Sequence, residues 1–150
     1  MSARKNKNDW NFRIRNSLRA FTLTELIVTI TIVSMVAAFA IPNYQKAVLK
    51  TRERVAILHL MTIHGANEIY RARSGNVYVP GPIANLAGIN TALSINIIDN
   101  DMTYSYARPT ATTYTGTAAW AGGNNFTVGI NQNPVTAANP YCAAGNCPTL

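Results

Sequence analysis

The chain has 150 residues, of which 48% are hydrophobic and 13% are charged, and its formal net charge is +7. Disordered chains are poorer in apolar residues and richer in charge, so this composition excludes that class. Two cysteines are too few for a disulfide-scaffolded miniprotein. The basic balance points toward nucleic-acid binding only if the positive charges lie on the folded part of the chain.

Residues 1–20 form a basic leader. They contain six of the thirteen Lys and Arg residues and one of the six acids, which gives +5. The rest of the chain contains seven basic and five acidic residues, or +2. Most of the basicity is therefore confined to the leader, and it is weak support for a nucleic-acid partner of the remaining 130 residues.

An uninterrupted apolar run follows the leader. It covers residues 21–41 and holds one ionisable side chain, Glu25. A helix needs about 20 apolar residues to cross the core of a bilayer, so the run is long enough to span. The positive-inside rule places the leader in the cytoplasm and the chain beyond residue 41 on the other side of the membrane.

Two other interpretations of this run remain open. It could be the buried core helix of a soluble domain. It could also be a secretory signal, because the A-x-A pattern ending at Ala40 would allow cleavage there and release a chain that begins at Ile41. Glu25 inside the apolar core of such a signal, and a helical pattern that continues past Ala40, argue against secretion.

Glu25 is the informative residue of the run. A carboxylate inside a membrane costs a few kcal/mol on insertion scales, so it usually faces a partner. One interpretation is that it reaches the headgroups, since it lies only about one turn inside the run. The other is that cleavage before Phe21 frees a positively charged α-amino group, which pairs with Glu25 of the same chain or of a neighbour and sets the axial register.

The residues around this position resemble a known signal. The stretch AFTLTELIV, residues 20–28, is similar to the class III signal peptide of type IV pilins and pseudopilins, and the similarity extends over roughly residues 19–45. In that superfamily the residue after the cut is usually Phe, which matches Phe21. Glu25 and Pro42 match two further family positions. The residue before the cut is normally Gly, and here it is Ala20.

The resemblance implies how the chain would be processed, inserted in the membrane and assembled. Prepilin peptidase of the inner membrane would cut before Phe21 and N-methylate that residue. The subunit would start as a single-pass inner-membrane precursor with a cytoplasmic N-terminus. The assembly machinery would then build it into a helical homo-oligomer at the cell surface or in the periplasm, with Glu25 neutralising the new N-terminus of a neighbour.

The same resemblance implies the range of functions. A major or minor subunit of a pilus that serves adhesion, motility or DNA uptake is the leading prediction. A pseudopilin of a type II secretion system is the alternative within the superfamily. A membrane-anchored or secreted binding module that never polymerises is the alternative from another class.

Residues 42–73 keep a helical pattern. Ten positions fall within one stripe about 100° wide, which predicts an amphipathic helix that packs on the strands. These positions are Tyr44, Ala47, Val48, Thr51, Val55, Leu58, Thr62, Gly65, Ala66 and Ile69. Apolar residues also occur outside the stripe, which predicts that partner subunits cover part of the helix. Pro42 is predicted to kink it, because proline removes a backbone hydrogen bond.

Residues 74–150 are predicted to form a β-rich domain. Gly75 fits a helix C-cap, and residues 84–94 fit a short helix. Apolar and polar residues alternate at 102–107 and at 126–131, with Tyr114 and Trp120 between them, which predicts three or four antiparallel strands. The predicted fold class is therefore α+β, with a long N-terminal helix packed on a small antiparallel sheet.

The remaining candidates for chemistry are few. Cys142 and Cys147 are predicted to form a disulfide in an exported domain, with two free thiols as the alternative. Asp99 and Asp101 lie in a turn that could bind calcium, although such a pair is usually only a turn. The two histidines, His59 and His64, are five residues apart and do not converge as ligands, so they are predicted to be surface or packing residues. No catalytic set, cofactor or metal is predicted, so the chain is expected not to be an enzyme.

Overall fold

The computed structural model describes residues 21–123, 125–136, 138–145 and 147–148. The leader, residues 1–20, and with it Ala20 at the predicted cleavage point, lie outside the described residues. The chain divides into two compact units between Phe39 and Ala40.

Helix α1 spans Leu23–Arg73 and has 51 residues. The helix continues through Pro42, and the kink predicted there stays a prediction. The helix ends at a cap in which Gly75 has a φ of +68° and the N–H of Asn76 donates to the carbonyl of Arg71 at 3.0 Å. This pairing is the Schellman arrangement, and glycine adopts the left-handed conformation it needs without steric cost.

A four-stranded sheet follows α1 in the chain. Its strands are β1 Thr103–Thr110, β2 Thr113–Trp120, β3 Phe126–Asn131 and β4 Tyr141–Gly145. They are antiparallel to their neighbours and lie in the order β1-β2-β3-β4. The α+β prediction is therefore confirmed, with four strands.

A short helix, α2, lies between α1 and β1 and spans Leu86–Leu93, within the predicted range of 84–94. Asn85 caps it by accepting a hydrogen bond from the N–H of Gly88 at 2.7 Å. Ile89 of α2 is 1% exposed and lies in the core.

The core of the unit Ala40–Leu150 lies between one face of α1 and the inner face of the sheet. On the sheet the inward residues alternate with outward ones, as Tyr104 and Tyr106 do in β1. Leu60 of α1 is fully buried and lies over Gly116 of β2, where a Cβ atom would be 3.6 Å from the Leu60 side chain. The buried residues of α1 are Glu53, Ala56, Leu60, Ile63 and Asn67.

This buried face corrects one prediction. The stripe predicted to pack on the strands lies on the opposite side of α1, and at 100° per residue its centre is about 180° from Leu60. Tyr44 is 72%, Leu58 is 61% and Ile69 is 56% exposed. Apolar residues occur nearly all round this part of the helix, so the periodicity of the sequence did not identify the side that packs on the sheet. We call the ten stripe residues named above the back stripe.

Candidate processing and assembly site

Glu25 lies in the first turn of α1, where it forms a capping box with Thr22. The hydroxyl oxygen of Thr22 accepts from the N–H of Glu25 at 3.2 Å, and Oε2 of Glu25 accepts from the N–H of Thr22 at 3.5 Å. The Thr22 hydroxyl also donates to the same carboxylate oxygen at 3.3 Å. Two of the N–H groups that a helix start leaves unpaired are thereby satisfied.

The capping box places the Glu25 carboxylate close to the predicted new N-terminus. It already bonds the N–H of Thr22, the residue next to Phe21. Phe21 itself is 77% exposed. A carboxylate at a helix N-terminus is also favoured by the helix dipole. The same group can therefore cap its own helix and offer a negative charge to an α-amino group nearby.

The apolar run presents its side chains outward all round the helix. Its large apolar residues are between 47% and 77% exposed. Its hydroxyl groups are satisfied internally: Thr29 donates to the carbonyl of Leu26 at 2.8 Å, and Ser34 donates to that of Ile30 at 2.6 Å. With those donors paired, the segment is compatible with a hydrocarbon environment. By length and composition, α1 is able to cross a membrane.

The back stripe is a second uncovered apolar surface. It lies on the unit Ala40–Leu150. The hydroxyl groups of its threonines are bonded to the helix backbone: Thr51 donates to the carbonyl of Ala47 and Thr62 to that of Leu58, both at 3.0 Å. Nothing lies within 4 Å of the position that a Cβ atom at Gly65 would take. The stripe is therefore largely apolar, its two threonine hydroxyl groups are hydrogen-bonded, and its surface is open.

His59 of α1 contacts Asp99 in the loop before β1 and Tyr104 in β1. Its Nδ1 is 2.7 Å from the Tyr104 hydroxyl oxygen and 3.3 Å from Oδ2 of Asp99, and the Tyr104 hydroxyl donates to that same oxygen at 2.6 Å. A tyrosine hydroxyl has one proton, so His59 Nδ1 is the donor in its contact with Tyr104. The histidine is a packing residue, as predicted.

The contacts among His59, Asp99 and Tyr104 shift the pKa values of Asp99 and Tyr104. Burial opposes ionisation of Asp99, but hydrogen bonds from Tyr104 and from the N–H groups of Asp101 and Met102, together with nearby His59, hold the pKa of Asp99 below its usual value. Burial and the adjacent Asp99 carboxylate raise the pKa of Tyr104 well above its usual value. A second histidine–tyrosine pair joins His64 to Tyr114.

The two acids proposed as a calcium turn form a turn closed by protein donors. Oδ1 of Asp99 accepts from the N–H groups of Asp101 and Met102 at 2.9 and 3.2 Å. Asp101 lies 3.5 Å from Nη2 of Arg52. Within the part of the chain that the structure describes, no three His, Cys, Asp or Glu residues are placed to hold a metal ion.

Two basic residues of α1, Arg52 and Arg71, have partners within the fold. Arg52 lies over the Trp120 ring, with Cζ 3.7 Å from the ring centroid. Arg71 pairs with Glu68 at 3.3 Å and donates to the Tyr78 hydroxyl at 3.1 Å. The side chains of Arg52 and Arg71 are therefore engaged within the subunit and add little support for a nucleic-acid partner.

Cys142 and Cys147 form a disulfide. Cys142 is in β4, and Cys147 packs against the core with its Sγ 3.7 Å from the carbonyl oxygen of Thr127 on β3. The disulfide therefore attaches the C-terminal segment to the edge of the sheet.

Sequence reasoning identified Glu25 but missed its capping partner, Thr22. The T-x-x-E pattern of residues 22–25 carries that signal, since it is the sequence form of a capping box. The stacking of Arg52 on Trp120 was also missed. No local signal could reveal it, because the two residues lie far apart in the chain and meet only through the fold.

Residues 15–41 match the model of the prokaryotic N-terminal methylation motif. This motif is the class III signal peptide of type IV pilins and pseudopilins, which confirms the resemblance. It implies processing by prepilin peptidase and filament assembly, and with the apolar helix it fits an inner-membrane precursor that becomes a surface filament. A search of curated proteins and a search of solved structures found no match.

Proposed function

We propose that this chain, which carries a pilin-type methylation motif in residues 15–41, is a structural subunit of a type IV pilus-like filament. The leader is removed before Phe21, which is then N-methylated. The apolar run anchors the subunit in the inner membrane before assembly. Afterwards it forms the core of the filament, with the sheet toward the outside. The segments 1–20, 21–41, 42–73 and 74–150 thus serve as leader, membrane and core segment, packing helix and outer domain.

The observation that carries the proposal is the exposed apolar surface of α1. The apolar run, with its 21 residues, is about 31 Å long as a helix, which matches the hydrocarbon core of a bilayer. The back stripe from Tyr44 to Ile69 adds about 38 Å at the same rise per residue. One bilayer can cover the first length but not both. Other copies of the chain are a natural cover for the back stripe, because each presents the same apolar surface.

Glu25 supplies the register in this proposal. Its carboxylate lies beside the N–H of Thr22, so an α-amino group at Phe21 of the same chain or of a neighbour can reach it. In an apolar filament core an unpaired charge is costly, while a paired one is tolerated. Copies that slide out of register leave both charges unpaired, so the paired arrangement is selected.

Two measurements on cells that produce the full chain test the proposal. N-terminal sequencing of the exported protein should begin at Phe21. A start at Ile41 would support a secretory signal instead, and a start at Met1 would mean that no cleavage occurs. Electron microscopy of material sheared from the surface should show filaments that contain this chain. Correct cleavage without surface filaments would favour the pseudopilin or the non-polymerising module.

A further inference from the structure

The sheet has an outward side that faces away from α1. Outward residues alternate with core residues along β1, β2 and β3, and most of them carry hydroxyl groups. Among the described residues of the four strands Arg108 is the only charged one, and its guanidinium donates to the carbonyl of Tyr78 at 3.1 Å. We call this side the outer face, and its uncharged residues include Thr103, Ser105, Thr115, Thr117, Thr127 and Tyr141.

Tyr141 places its aromatic ring on the outer face. The residue is paired with Gly129 of β3, and a Cβ atom at Gly129 would lie 2.6 Å from Cζ of Tyr141 and 2.9 Å from its hydroxyl oxygen. The ring can lie this close to the strand because the residue beneath it is glycine. Tyr141 stays partly exposed to solvent, so the strand supports the ring while the ring remains accessible.

A row of polar side chains continues from this ring across the sheet. Gly129 is paired with Thr117 of β2, and Thr117 is paired with Ser105 of β1. Neighbouring strands are about 4.8 Å apart, so the row from Tyr141 to Ser105 is about 14 Å long. The hydroxyl oxygens of Ser105 and Thr117 lie 2.7 Å apart. Because each hydroxyl can both donate and accept, this pair keeps a donor and several lone pairs for a ligand.

Further hydroxyl groups flank this row on both sides. Thr103 and Thr127 are each paired with Ala119 on one side of the row, and Thr115 lies on the other. Within the part of the chain that the structure describes, none of these three hydroxyls has a hydrogen-bond partner. The outer face therefore offers unpaired neutral donors and acceptors at the regular spacing of a sheet, around one aromatic ring.

This chemistry disfavours several classes of partner. Nucleic acids are held chiefly by Lys and Arg, and anionic membrane surfaces are also held by basic residues. The centre of a protein–protein interface is enriched in aromatic, Met and Arg side chains. The outer face has one aromatic ring and no charge. A sugar ring has an apolar side of C–H groups and a rim of hydroxyls, so it matches an aromatic ring surrounded by neutral hydroxyl groups.

We propose that the outer face binds a neutral polysaccharide, with one sugar ring stacked on Tyr141 and the next sugar hydroxyls bonded to Thr117 and Ser105. This inference goes beyond the proposed function and does not depend on polymerisation. The face is open and shallow, so one subunit is expected to bind weakly, with a millimolar dissociation constant. A filament would present many copies of the face, and its avidity for a long polysaccharide would be far higher.

An NMR titration of the full chain tests the outer face. The chain carries ¹³C in its threonine methyl groups and is solubilised in a phosphocholine detergent, which has no sugar headgroup. The probes are three neutral hexasaccharides: cellohexaose, maltohexaose and chitohexaose. At least one should shift the methyl signals of Thr117 and its neighbours on the outer face in a saturable way. The signals of Thr51 and Thr62, which lie on α1, should not move.

Substitutions assign the binding to the ring and the hydroxyl row. Tyr141→Ala should raise the dissociation constant about tenfold or more because the stacking surface is lost, whereas Tyr141→Phe should keep most of the affinity. Thr117→Val should raise it about threefold by removing a hydrogen bond, and valine suits a strand, so the fold is kept. Tyr44→Ala is the matched control, because Tyr44 is an exposed aromatic residue of α1, and it should change nothing.

Several results would overturn the proposal. One is the absence of saturable shifts with all three neutral probes, and another is unchanged affinity in both Tyr141→Ala and Thr117→Val. Shifts caused only by a galacturonic acid hexamer or a thymidylate hexamer would assign the face to a charged partner instead. Shifts that follow protein concentration without any probe would make it a contact between copies. Absence of filaments in cells would leave the titration unaffected, so this proposal and the proposed function fail separately.

Discussion

Glu25 bonds Thr22 in the capping box, and we propose that its charge also pairs with an α-amino group; substitutions can separate these two interactions. Glu25→Gln keeps an oxygen that can accept from the N–H of Thr22 but removes the charge, whereas Glu25→Ala removes both. We expect both variants to insert in the membrane and to assemble poorly. Loss of about 1.4 kcal/mol at each contact lowers its equilibrium constant about tenfold. Filament yield per cell, measured by quantitative microscopy or immunoblot of sheared material, is the readout.

The comparison between the two variants decides which interaction matters. If Glu25→Gln assembles as well as the native chain while Glu25→Ala does not, capping by Thr22 is the contribution of this residue and charge pairing is not. Membrane content of the unassembled precursor serves as the control for insertion in both cases.

Asp99 predicts how the stability of the outer domain depends on pH. Its pKa is lowered in the folded chain from the usual value of 3.8, so the unfolded state takes up a proton first as the pH falls. The stabilisation is complete above pH 3.8 and is lost as the pH falls through the lowered native pKa. Asp99→Asn should be less stable than the native chain at neutral pH and should lose less on acidification.

Urea unfolding of the solubilised chain at pH 7 and at about pH 3 measures this difference. Asp101→Asn is the matched control, since that carboxylate is 63% exposed and should contribute little at either pH. A native chain and an Asp99→Asn variant with the same loss of stability on acidification would contradict the assignment.

At the scale of residues, the sequence indicated candidate site residues where those residues are close together in the chain. Phe21 and Glu25 are four positions apart, and their spacing is a local property. His59 was predicted to be a surface or packing residue, and its partners Asp99 and Tyr104 lie at least 40 residues away in the chain. Only the fold brings them within 3.3 Å or less.

At the scale of elements, α1 has two apolar faces, of which one packs on the sheet and the other, the back stripe, is exposed. Leu60 is fully buried against the sheet, whereas Leu58, two positions away, is 61% exposed on the back stripe. Leu60→Ala should cost about 2–5 kcal/mol of subunit stability because it leaves a cavity. Leu58→Ala should leave subunit stability nearly unchanged and reduce filament assembly.

Chemical denaturation of the solubilised subunit and filament yield, measured in parallel, separate the two faces. An equal loss of subunit stability in both variants would contradict the assignment of the faces. Normal filaments from Leu58→Ala together with Val55→Ala would remove the back stripe as an assembly surface.

The closing strand depends on one glycine. Gly145 in β4 has a φ of +79°, and a Cβ atom there would overlap the backbone of Asn125 and Phe126. Gly145→Ala should therefore destabilise the β3–β4 pair, by about 1–3 kcal/mol for the strained conformation alone. Gly123→Ala is the matched control, because nothing lies within 4 Å of its Cβ position. Thermal unfolding should show a lower midpoint for Gly145→Ala and little change for Gly123→Ala.

Existence and type of the elements were predictable, whereas the packing face of α1 was not. Period-two alternation in β1 and β3 and the cap at Gly75 are local signals, and the structure has strands and a helix end at those places. Between Val55 and Ile69, apolar residues occupy nearly every side of α1, so the pattern fits more than one orientation. The side toward the sheet also holds Glu53 and Asn67, both fully buried. Because these residues are polar, the buried side does not stand out as apolar in the hydropathy pattern.

For the whole molecule, the core predicts a self-sufficient outer domain. Among the described residues, every buried hydrophobic residue of the core lies at Ala56 or beyond, and Leu49 packs against this core, so all of them belong to the unit Ala40–Leu150. A chain shortened to that unit should unfold cooperatively and elute as a monomer, and it should form no filaments. Circular dichroism during heating and size-exclusion chromatography measure this. A non-cooperative transition would show that the outer domain needs the apolar run to fold.

The sequence by itself determined the features that depend on chain neighbours: the basic leader, the apolar run, the motif around Phe21 and Glu25, and the alternation of the strands. Only the tertiary structure decided which face of α1 meets the sheet, because several faces are apolar and the choice depends on shape and on buried polar contacts such as that of Asn67 with Tyr106. It also decided where Arg52 lies, since the ring beneath it belongs to a strand 68 positions later in the chain.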